Sequence, residues 1–168
     1  VLAGKLLRVA NTPMFRPRQP YTSLEQAIVR LGTKTVQELV AGIATMGLFA
    51  DVGGIGERIR DHSAGVAAIA RVLGTEWRFR GVGRAFLAGL MHDLGKLLIL
   101  QTGELDYSTL SPAQLETPDE VHLCERVTLG FDHAVLGAHV LSLWNLPPDL
   151  TRIVAWHHQP GRAYEAGG

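Results

Sequence analysis

Apolar residues recur at helical spacing along almost the whole chain, and alternating strand patterns are nearly absent. Residues 24–31 follow the i, i+3, i+4, i+7 rule, and Gly32 after them is a typical helix stop. The chain has 168 residues, enough for one domain with a sizeable core. The pattern therefore predicts an all-α bundle of amphipathic helices.

Capping residues and glycines set the predicted boundaries of the first helices. Thr35 with Glu38 resembles a capping box that opens a second helix. The glycine-rich stretch 50–57 predicts a break, and a third helix is expected over about 57–73, closed by Gly74. The break suggests a division into an N-terminal helical part, residues 1–50, and a helical core, residues 51–168.

Further helices are predicted in the second half of the chain. They run from about Arg80 through "FLAGLMHDLGKLLIL" (86–100), from Pro118 to near Gly130, from the Asp132 cap to Asn145, and from Leu150 to His158, ended by Pro160. Cys124, Val127, Trp144 and Trp156 are predicted to face the core. The chain opens mid-pattern at Val1, so we expect it to be a fragment of a longer protein.

Charge and cysteine content exclude several classes of protein. Lys and Arg number 16 and Asp and Glu number 16, so there is no bulk attraction to nucleic acid or an anionic membrane. The single cysteine cannot form an intrachain disulfide, which fits a reducing cytoplasm. No apolar run approaches the roughly 20 residues that span a bilayer. We therefore predict a cytoplasmic protein without nucleic-acid or membrane partners.

Arginines form a loose basic cluster in the middle of the sequence, but acidic residues interleave with them. A solvated surface is favoured over a nucleic-acid interface for this cluster. Its members are Arg58, Arg60, Arg71, Arg78, Arg80 and Arg84.

Seven histidines are the chain's most informative polar residues. Helical spacing places His62, His133 and His157 on the same faces as apolar neighbours. A single inward histidine is ordinarily a satisfied core residue, but several from different helices are better explained by a shared metal ion. His122 and His139 fall off these faces and are interpreted as surface or structural residues.

The adjacent His92 and Asp93 interrupt an otherwise apolar run, three residues before Lys96. Lys96 has two open interpretations, a simple ion pair with Asp93 or a contact to a phosphate. His157 and His158 would lie about 100° apart on a helix, so both reach one site only if it is wide or binuclear.

Several segments together resemble one known family. "FLAGLMHDLGKLLIL" and "LGFDHAVLGAHVLSLWNLPPDLTRIVAWHHQP" resemble the HDOD domain, a branch of the HD superfamily of metal-dependent phosphohydrolases. "LLRVANTPMF" and "TSLEQAIVRLGTKTVQELV" resemble its N-terminal part, so the whole chain reads as one HDOD domain. The resemblance implies an all-α helical bundle of the HD-superfamily type and a bacterial signalling context.

The resemblance also implies a set of metal ligands. Matched in order to the related HD-GYP phosphodiesterases, the ligand positions are His62, His92, Asp93, His133, His157 and His158. Asp93 would bridge two metals, and Lys96 would face substrate phosphate. Imidazole and carboxylate ligands suit one or two divalent ions of iron, manganese or zinc.

The chain departs from the catalytic relatives after the histidine pair. Gln159-Pro160 stands where those relatives have an acidic residue and a GYP segment, and "GRAYEAGG" contains Glu165 but no Asp for their last ligand.

These departures leave two functional hypotheses open. The first is a regulatory signal-transduction module that contacts signalling proteins or fused regulatory domains and contains a metal site. The second is a metal-dependent phosphohydrolase or phosphodiesterase acting on a nucleotide or cyclic dinucleotide, with Asp93 and Lys96 as catalytic residues. The sequence does not specify the substrate, the metal, the partner or the oligomeric state.

Overall fold

The computed structural model describes residues 2–12, 15, 17–47, 53–110 and 118–165. Regular structure in these ranges is helical throughout, which confirms the predicted all-α class. The helices are α1 (Leu2–Ala10), α2 (Leu24–Leu31), α3 (Thr33–Gly47), α4 (Gly53–Glu76), α5 (Val82–Met91), α6 (Leu94–Thr102), α7 (Pro118–Leu129), α8 (His133–Leu143), α9 (Pro148–Trp156) and α10 (Pro160–Glu165). A 3₁₀ turn spans Tyr107–Thr109. No described helix has the length and apolar character needed to cross a bilayer.

Predicted boundaries hold best where a residue has a special backbone conformation. Gly32 ends α2 with a φ of 83°, as predicted. The capping box at Thr35 is wrong, because α3 begins at Thr33 and the Val36 amide already donates to the Gly32 carbonyl at 3.2 Å. The break predicted over 50–57 is also wrong from Gly53 onward, where α4 is helical; residues 48–52 lie outside the described ranges. A glycine costs a helix only about 1 kcal/mol, which a long helix can absorb.

The predicted helix through "FLAGLMHDLGKLLIL" is two helices in the structure. Helix α5 ends at Met91, α6 begins at Leu94, and His92 and Asp93 form the turn between them. Apolar residues occupy every face of this run, so its periodicity contains no signal for the turn. The turn places the two polar side chains at a helix junction rather than along a helix.

The chain forms two compact units, each with an apolar core of its own. The first unit comprises Val1–Ala50 and Ala64–Leu90, and the second comprises Asp51–Ser63 and Met91–Gly168. Leu39 and Phe86 lie in the core of the first unit, and Ile99 and Val121 lie in a core of the second. Every predicted metal ligand belongs to the second unit.

Glycines bring α6 and α8 into backbone contact within the second unit. A Cβ atom at Gly95 would overlap the carbonyl of His133, and a Cβ at Gly137 would lie 3.2 Å from the Gly95 amide nitrogen. Asp132 caps α8 as predicted, since its carboxylate accepts a hydrogen bond from the Val135 amide at 2.9 Å. This close packing places the start of α8, with His133, beside the start of α6.

Two predicted core positions are exposed. Trp144 is 41% exposed and Val127 is 79% exposed. The inward line of α7 runs instead through Val121 and Glu125, which are 4% and 0% exposed. The prediction placed Val127 inward from its spacing to Val121 and Cys124, because a carboxylate at position 125 does not read as part of an apolar line.

Candidate metal centre

Asp93 lies at the centre of the candidate site. It precedes the first residue of α6, is 2% exposed, and directs its two carboxylate oxygens toward different sets of side chains. Each set contains histidines that helical spacing or family resemblance had singled out.

The first set surrounds Oδ2 of Asp93. Lys96 Nζ lies 2.9 Å from this oxygen, His92 Nε2 at 3.4 Å and His62 Nε2 at 3.9 Å. The ion pair predicted between Lys96 and Asp93 is thus present. Ligand atoms of His62, His92 and Asp93 lie within 4.8 Å of one another, close enough to share a metal ion.

The second set surrounds Oδ1 of Asp93. His133 Nε2 lies 3.3 Å from this oxygen and His157 Nε2 at 3.8 Å. The Nε2 atoms of His133 and His158 are 2.8 Å apart. Asp93, His133, His157 and His158 form a second group whose ligand atoms lie within 4.8 Å of one another. The structure therefore brings all six predicted ligand positions together around one carboxylate.

His157 and His158 reach the same group because they do not lie on a helix. Helix α9 ends at Trp156, two residues earlier than predicted, and the pair occupies the turn before Pro160 begins α10. The predicted helix through His158 and the predicted stop at Pro160 are both wrong. The centroids of the two imidazole rings are 4.0 Å apart, which a turn allows and the angular separation on a helix would oppose.

His62 lies at the rim of the site rather than in the core. Its side chain is 58% exposed, so the inward orientation predicted for it is wrong. The buried line of α4 passes through the neighbouring small residues Ser63 and Ala67, both 0% exposed. Small side chains contribute little to hydrophobic periodicity, so the prediction followed Ile69, which is 60% exposed.

Hydrogen bonds to Nδ1 orient two of the buried imidazoles. His133 Nδ1 lies 2.6 Å from a carboxylate oxygen of Glu125, and His157 Nδ1 lies 2.7 Å from the carbonyl oxygen of Val154. An ionised carboxylate and a carbonyl only accept hydrogen bonds, so both Nδ1 atoms carry hydrogen. In its neutral form each ring presents the lone pair of its Nε2 to the centre, the orientation that a metal ligand needs.

The electrostatics of the second set favour a bound cation. Burial lowers the pKa of His157 to about 3 and that of His158 to about 4, so both rings are neutral near pH 7. Burial alone would raise the pKa of Asp93, but the imidazoles of His133 and His92 and the ammonium of Lys96 hold it well below its usual range. Oδ1 of Asp93 is buried and accepts no hydrogen bond from the described residues.

A shared divalent ion would accept the lone pairs of Asp93 Oδ1 and of the histidine Nε2 atoms of the second set together. In the absence of metal, a proton on His133 can bridge two of these atoms instead. Burial would lower the pKa of His133, but Asp93 and Glu125 raise it above its ordinary value. One proton on His133 Nε2 can form a hydrogen bond with only one of its neighbours, Asp93 Oδ1, His157 Nε2 or His158 Nε2. A metal ion could bind all of these atoms at once. The donor set therefore fits a divalent transition metal.

Glu125 and Tyr107 are functional candidates that the sequence analysis missed. Both are almost fully buried, at 0% and 1% exposed. Glu125 accepts from the His133 backbone amide at 2.7 Å and from the Tyr107 hydroxyl at 2.6 Å, in addition to its contact with the His133 ring. The only sequence signal is that Glu125 lies four residues after Val121 on α7, where an inward residue is expected.

His122 is a structural neighbour of the site. It is 9% exposed, and its ring stacks on that of His158 at 5.5 Å with a 19° interplanar angle. Its Nε2 lies 2.9 Å from Asp132, which also accepts from Arg126 at 2.7 Å. His139 is exposed on α8, as predicted.

A cleft of about 530 Å³ opens onto Asp93 within the second unit. Two cationic side chains, Arg58 and Lys96, line it together with the apolar Ile55, Ile59 and Val121. Arg58 is exposed, as predicted for the basic cluster, and it lies one helical turn before His62, where it borders the same cleft. The arrangement can receive a ligand with a phosphate at its metal end and an apolar body.

Comparison with known proteins agrees with this geometry. The family model of the HDOD domain matches residues 1–160. An HDOD domain protein of unknown function from Geobacter sulfurreducens has a TM-score of 0.73 and 24% identity, over 95% of this chain and 54% of that one. A protein from Shewanella amazonensis SB2B described as a "putative phosphohydrolase" has a TM-score of 0.78 and 28% identity, over 98% of this chain and 58% of that one.

A curated relative from Treponema pallidum (strain Nichols) is described as an uncharacterized protein. It is 20% identical over 166 residues, which cover 98% of this chain and 32% of the relative. The chain thus spans about a third of that relative and somewhat more than half of each solved structure. Because the family model covers nearly the whole sequence, the chain belongs to the HDOD domain family.

Proposed function

We propose that this HDOD domain is a metal-dependent phosphohydrolase with Asp93 as the bridging ligand of a two-metal site. The observation that carries the proposal is the position of the histidines, which face the two oxygens of one buried carboxylate beside an open cleft. Structural metal sites are closed by protein ligands, whereas catalytic sites keep a position open for water or substrate. The exposed rim at His62 and the cleft of about 530 Å³ provide that opening.

The side chains around the cleft have distinct roles in this proposal. His62 and His92 would hold one ion with Asp93, and His133, His157 and His158 would hold the other. A divalent ion in such a site supplies Lewis acidity toward a phosphoryl oxygen and lowers the pKa of water. Lys96 and Arg58 neutralise phosphate charge from the protein side. The apolar wall of Ile55, Ile59 and Val121 accommodates the rest of the substrate.

The substrate class proposed is a phosphate ester or diester of a nucleotide or cyclic dinucleotide, and the metal is iron, manganese or zinc. The Shewanella protein described as a "putative phosphohydrolase" supports the reaction class. A cytoplasmic location remains the expectation from cysteine content.

The test combines metal analysis with a hydrolysis screen. Wild-type protein reconstituted anaerobically with iron, manganese or zinc is assayed by elemental analysis and with p-nitrophenyl phosphate, bis(p-nitrophenyl) phosphate and a nucleotide panel. We expect bound metal and measurable turnover, both lost in Asp93→Asn. His139→Gln is the matched control, because His139 is exposed on α8 and should change neither readout. Metal-free wild-type protein after reconstitution would overturn the proposal.

A regulatory module that contacts other proteins is the second candidate function. The observation that favours it is a set of exposed apolar side chains in the second unit, on and between α7 and α8. Leu123 is 62% exposed, Val127 79%, Phe131 41% and Val135 49%. Exposed apolar patches of this kind are common at protein interfaces. Bound metal without turnover on any substrate in the screen would favour this candidate over the phosphohydrolase.

A further inference from the structure

A second cavity lies in the first unit and contains none of the metal-centre residues. Its volume is about 880 Å³, within the range of small-molecule sites. The lining residues that bear on its chemistry are Phe15, Arg18, Tyr21, Gln26, Arg30 and Arg71.

The charge of this cavity is one-sided. Three arginines line it, and no Asp or Glu is among its described lining residues, although the whole chain has equal numbers of acidic and basic residues. Arg18 and Arg30 form no ion pair with any residue that the structure describes. Uncompensated guanidinium groups in a concave surface concentrate positive potential and attract anions.

Two parts of the cavity wall, at Arg71 and at Tyr21, are held in place before any ligand binds. Arg71 Cζ lies 3.9 Å from the ring centroid of Phe15, a cation–π contact that restrains the guanidinium. Asn11 fixes the backbone of Tyr21, another lining residue, with two hydrogen bonds. Its side-chain amide donates to the Tyr21 carbonyl at 2.9 Å, and its carbonyl accepts from the Tyr21 amide at 2.6 Å. Restrained side chains and backbone reduce the entropy lost on binding.

We propose that this cavity binds an organic compound that carries a diphosphate group. A guanidinium presents a planar fork of donors that fits phosphate oxygens in pairs. Arg18 and Arg30 offer two such forks, one for each phosphate of a diphosphate, whereas Arg71 already packs on Phe15 and lies in the electric field of Glu38. The volume of about 880 Å³ leaves room beside a diphosphate for an organic body. The neutral net charge of the chain argues against an extended nucleic acid as the ligand.

The proposal is independent of the metal centre, since no lining residue is shared. ADP is the probe, measured by isothermal titration calorimetry against the full chain with a chelator present, so that the proposed metal centre offers no site to a nucleotide. Pyrophosphate is the competitor and adenosine is the phosphate-free comparison. We expect one ADP per chain under these conditions, competition by pyrophosphate, and no saturable binding of adenosine.

Variants locate the binding site. Arg18→Ala/Arg30→Ala should weaken ADP binding by about tenfold or more, because charge-assisted contacts are lost. Arg18→Lys/Arg30→Lys should weaken it less, since the charges remain and only the forks are lost. Arg8→Ala is the matched control, an exposed arginine of α1 in the same unit and outside the cavity, and should leave the affinity unchanged. Asp93→Asn should also leave it unchanged.

Four results would overturn the proposal. The first is that the wild type shows no saturable binding at ADP concentrations up to about 1 mM, a dissociation constant that corresponds to weak binding. The second is that the Arg18→Ala/Arg30→Ala variant binds ADP with wild-type affinity, and the third is that Arg8→Ala loses as much affinity for ADP, which would indicate general charge attraction. The fourth is that Asp93→Asn loses ADP binding, which would place ADP at the metal centre. Both arginines are exposed, and circular dichroism of each variant verifies its fold.

Discussion

Replacement of Glu125 by Gln tests how the chain orients His133. Glu125 accepts hydrogen bonds from three donors, two on His133 and one on Tyr107, at 2.6 to 2.7 Å. Burial would raise the pKa of Glu125, but its hydrogen bonds with His133 and Tyr107 hold it below the ordinary value. The side chain is therefore a buried anion whose charge acts on the imidazole.

Glutamine keeps the shape of this site and removes the charge. The Gln carbonyl can accept from both His133 donors, and the Tyr107 hydroxyl can rotate to accept from the new amide. The fold should therefore persist, while His133 loses a charged partner that raises its basicity as a ligand. Outer partners of this kind change metal affinity by about 10- to 100-fold, or about 1.4 to 2.8 kcal/mol.

Competition against a chelator measures the affinity of metal-free wild type and Glu125→Gln for zinc. Tyr107→Phe is the matched control, because it removes one contact to Glu125 and leaves both His133 contacts in place. We expect Tyr107→Phe to lower the free energy of unfolding by about 1.5 to 3 kcal/mol, typical of a hydrogen bond to a charged group, with a smaller effect on zinc affinity. A folded Glu125→Gln variant with wild-type zinc affinity would refute the reasoning, whereas a wild type that binds no metal would instead refute the proposed function.

Three further predictions follow from the same geometry. His157 and His158 have pKa values lowered to about 3 and about 4 in the folded state, so their contribution to the stability of the metal-free protein is full above about pH 6.5 and is lost as the pH falls toward those values. Each pH unit in that window should lower the free energy of unfolding by about 1.4 kcal/mol at His157. Urea unfolding with a chelator present measures this, and a free energy of unfolding that does not change with pH would contradict it. Gly95→Ala should destabilise the protein by about 1 to 3 kcal/mol or more, because the new methyl group overlaps the backbone of α8. Gly65→Ala is the control, since the space around Gly65 is open, and it should be neutral or stabilising. Thermal melts of both variants measure the difference. Lys96→Ala should keep bound metal while raising the KM for a phosphate ester by about 10- to 100-fold; loss of metal instead would assign Lys96 to the structure of the site.

Helix periodicity predicted the helical class and the burial of His133, which is 0% exposed, but it misplaced other polar residues of the site. The apolar run around His92 and Asp93 predicted one helix, because every face of it is apolar and the turn has no local signature. His62 was assigned to the core from spacing to Ile69, although small residues form the buried line of α4. The list of candidate residues did not depend on these predicted faces, because a histidine or a carboxylate has the same chemistry on any face of a helix.

Glu125 marks the limit of sequence reasoning most clearly. Its spacing of four residues from Val121 is its one sequence signal. Its three donors come from Tyr107 and His133, 18 and 8 residues away in the chain, and no local pattern shows that they meet there. Arg58 and Arg71 show the same limit, because one basic cluster in the sequence contributes to two separate cavities.

The sequence by itself determined the helical class, the family resemblance and the identity of the six candidate ligands, since these depend on local periodicity and on residue order. Only the tertiary structure decided that the candidate ligands meet at the two oxygens of Asp93, that Glu125 orients His133, and that arginines of the first unit line a cavity with no acidic residue among its described lining. These features depend on contacts between side chains from helices that are distant in the sequence. The close packing of α6 on α8 at Gly95 is one example, because residue spacing within a helix does not show which helix packs against it.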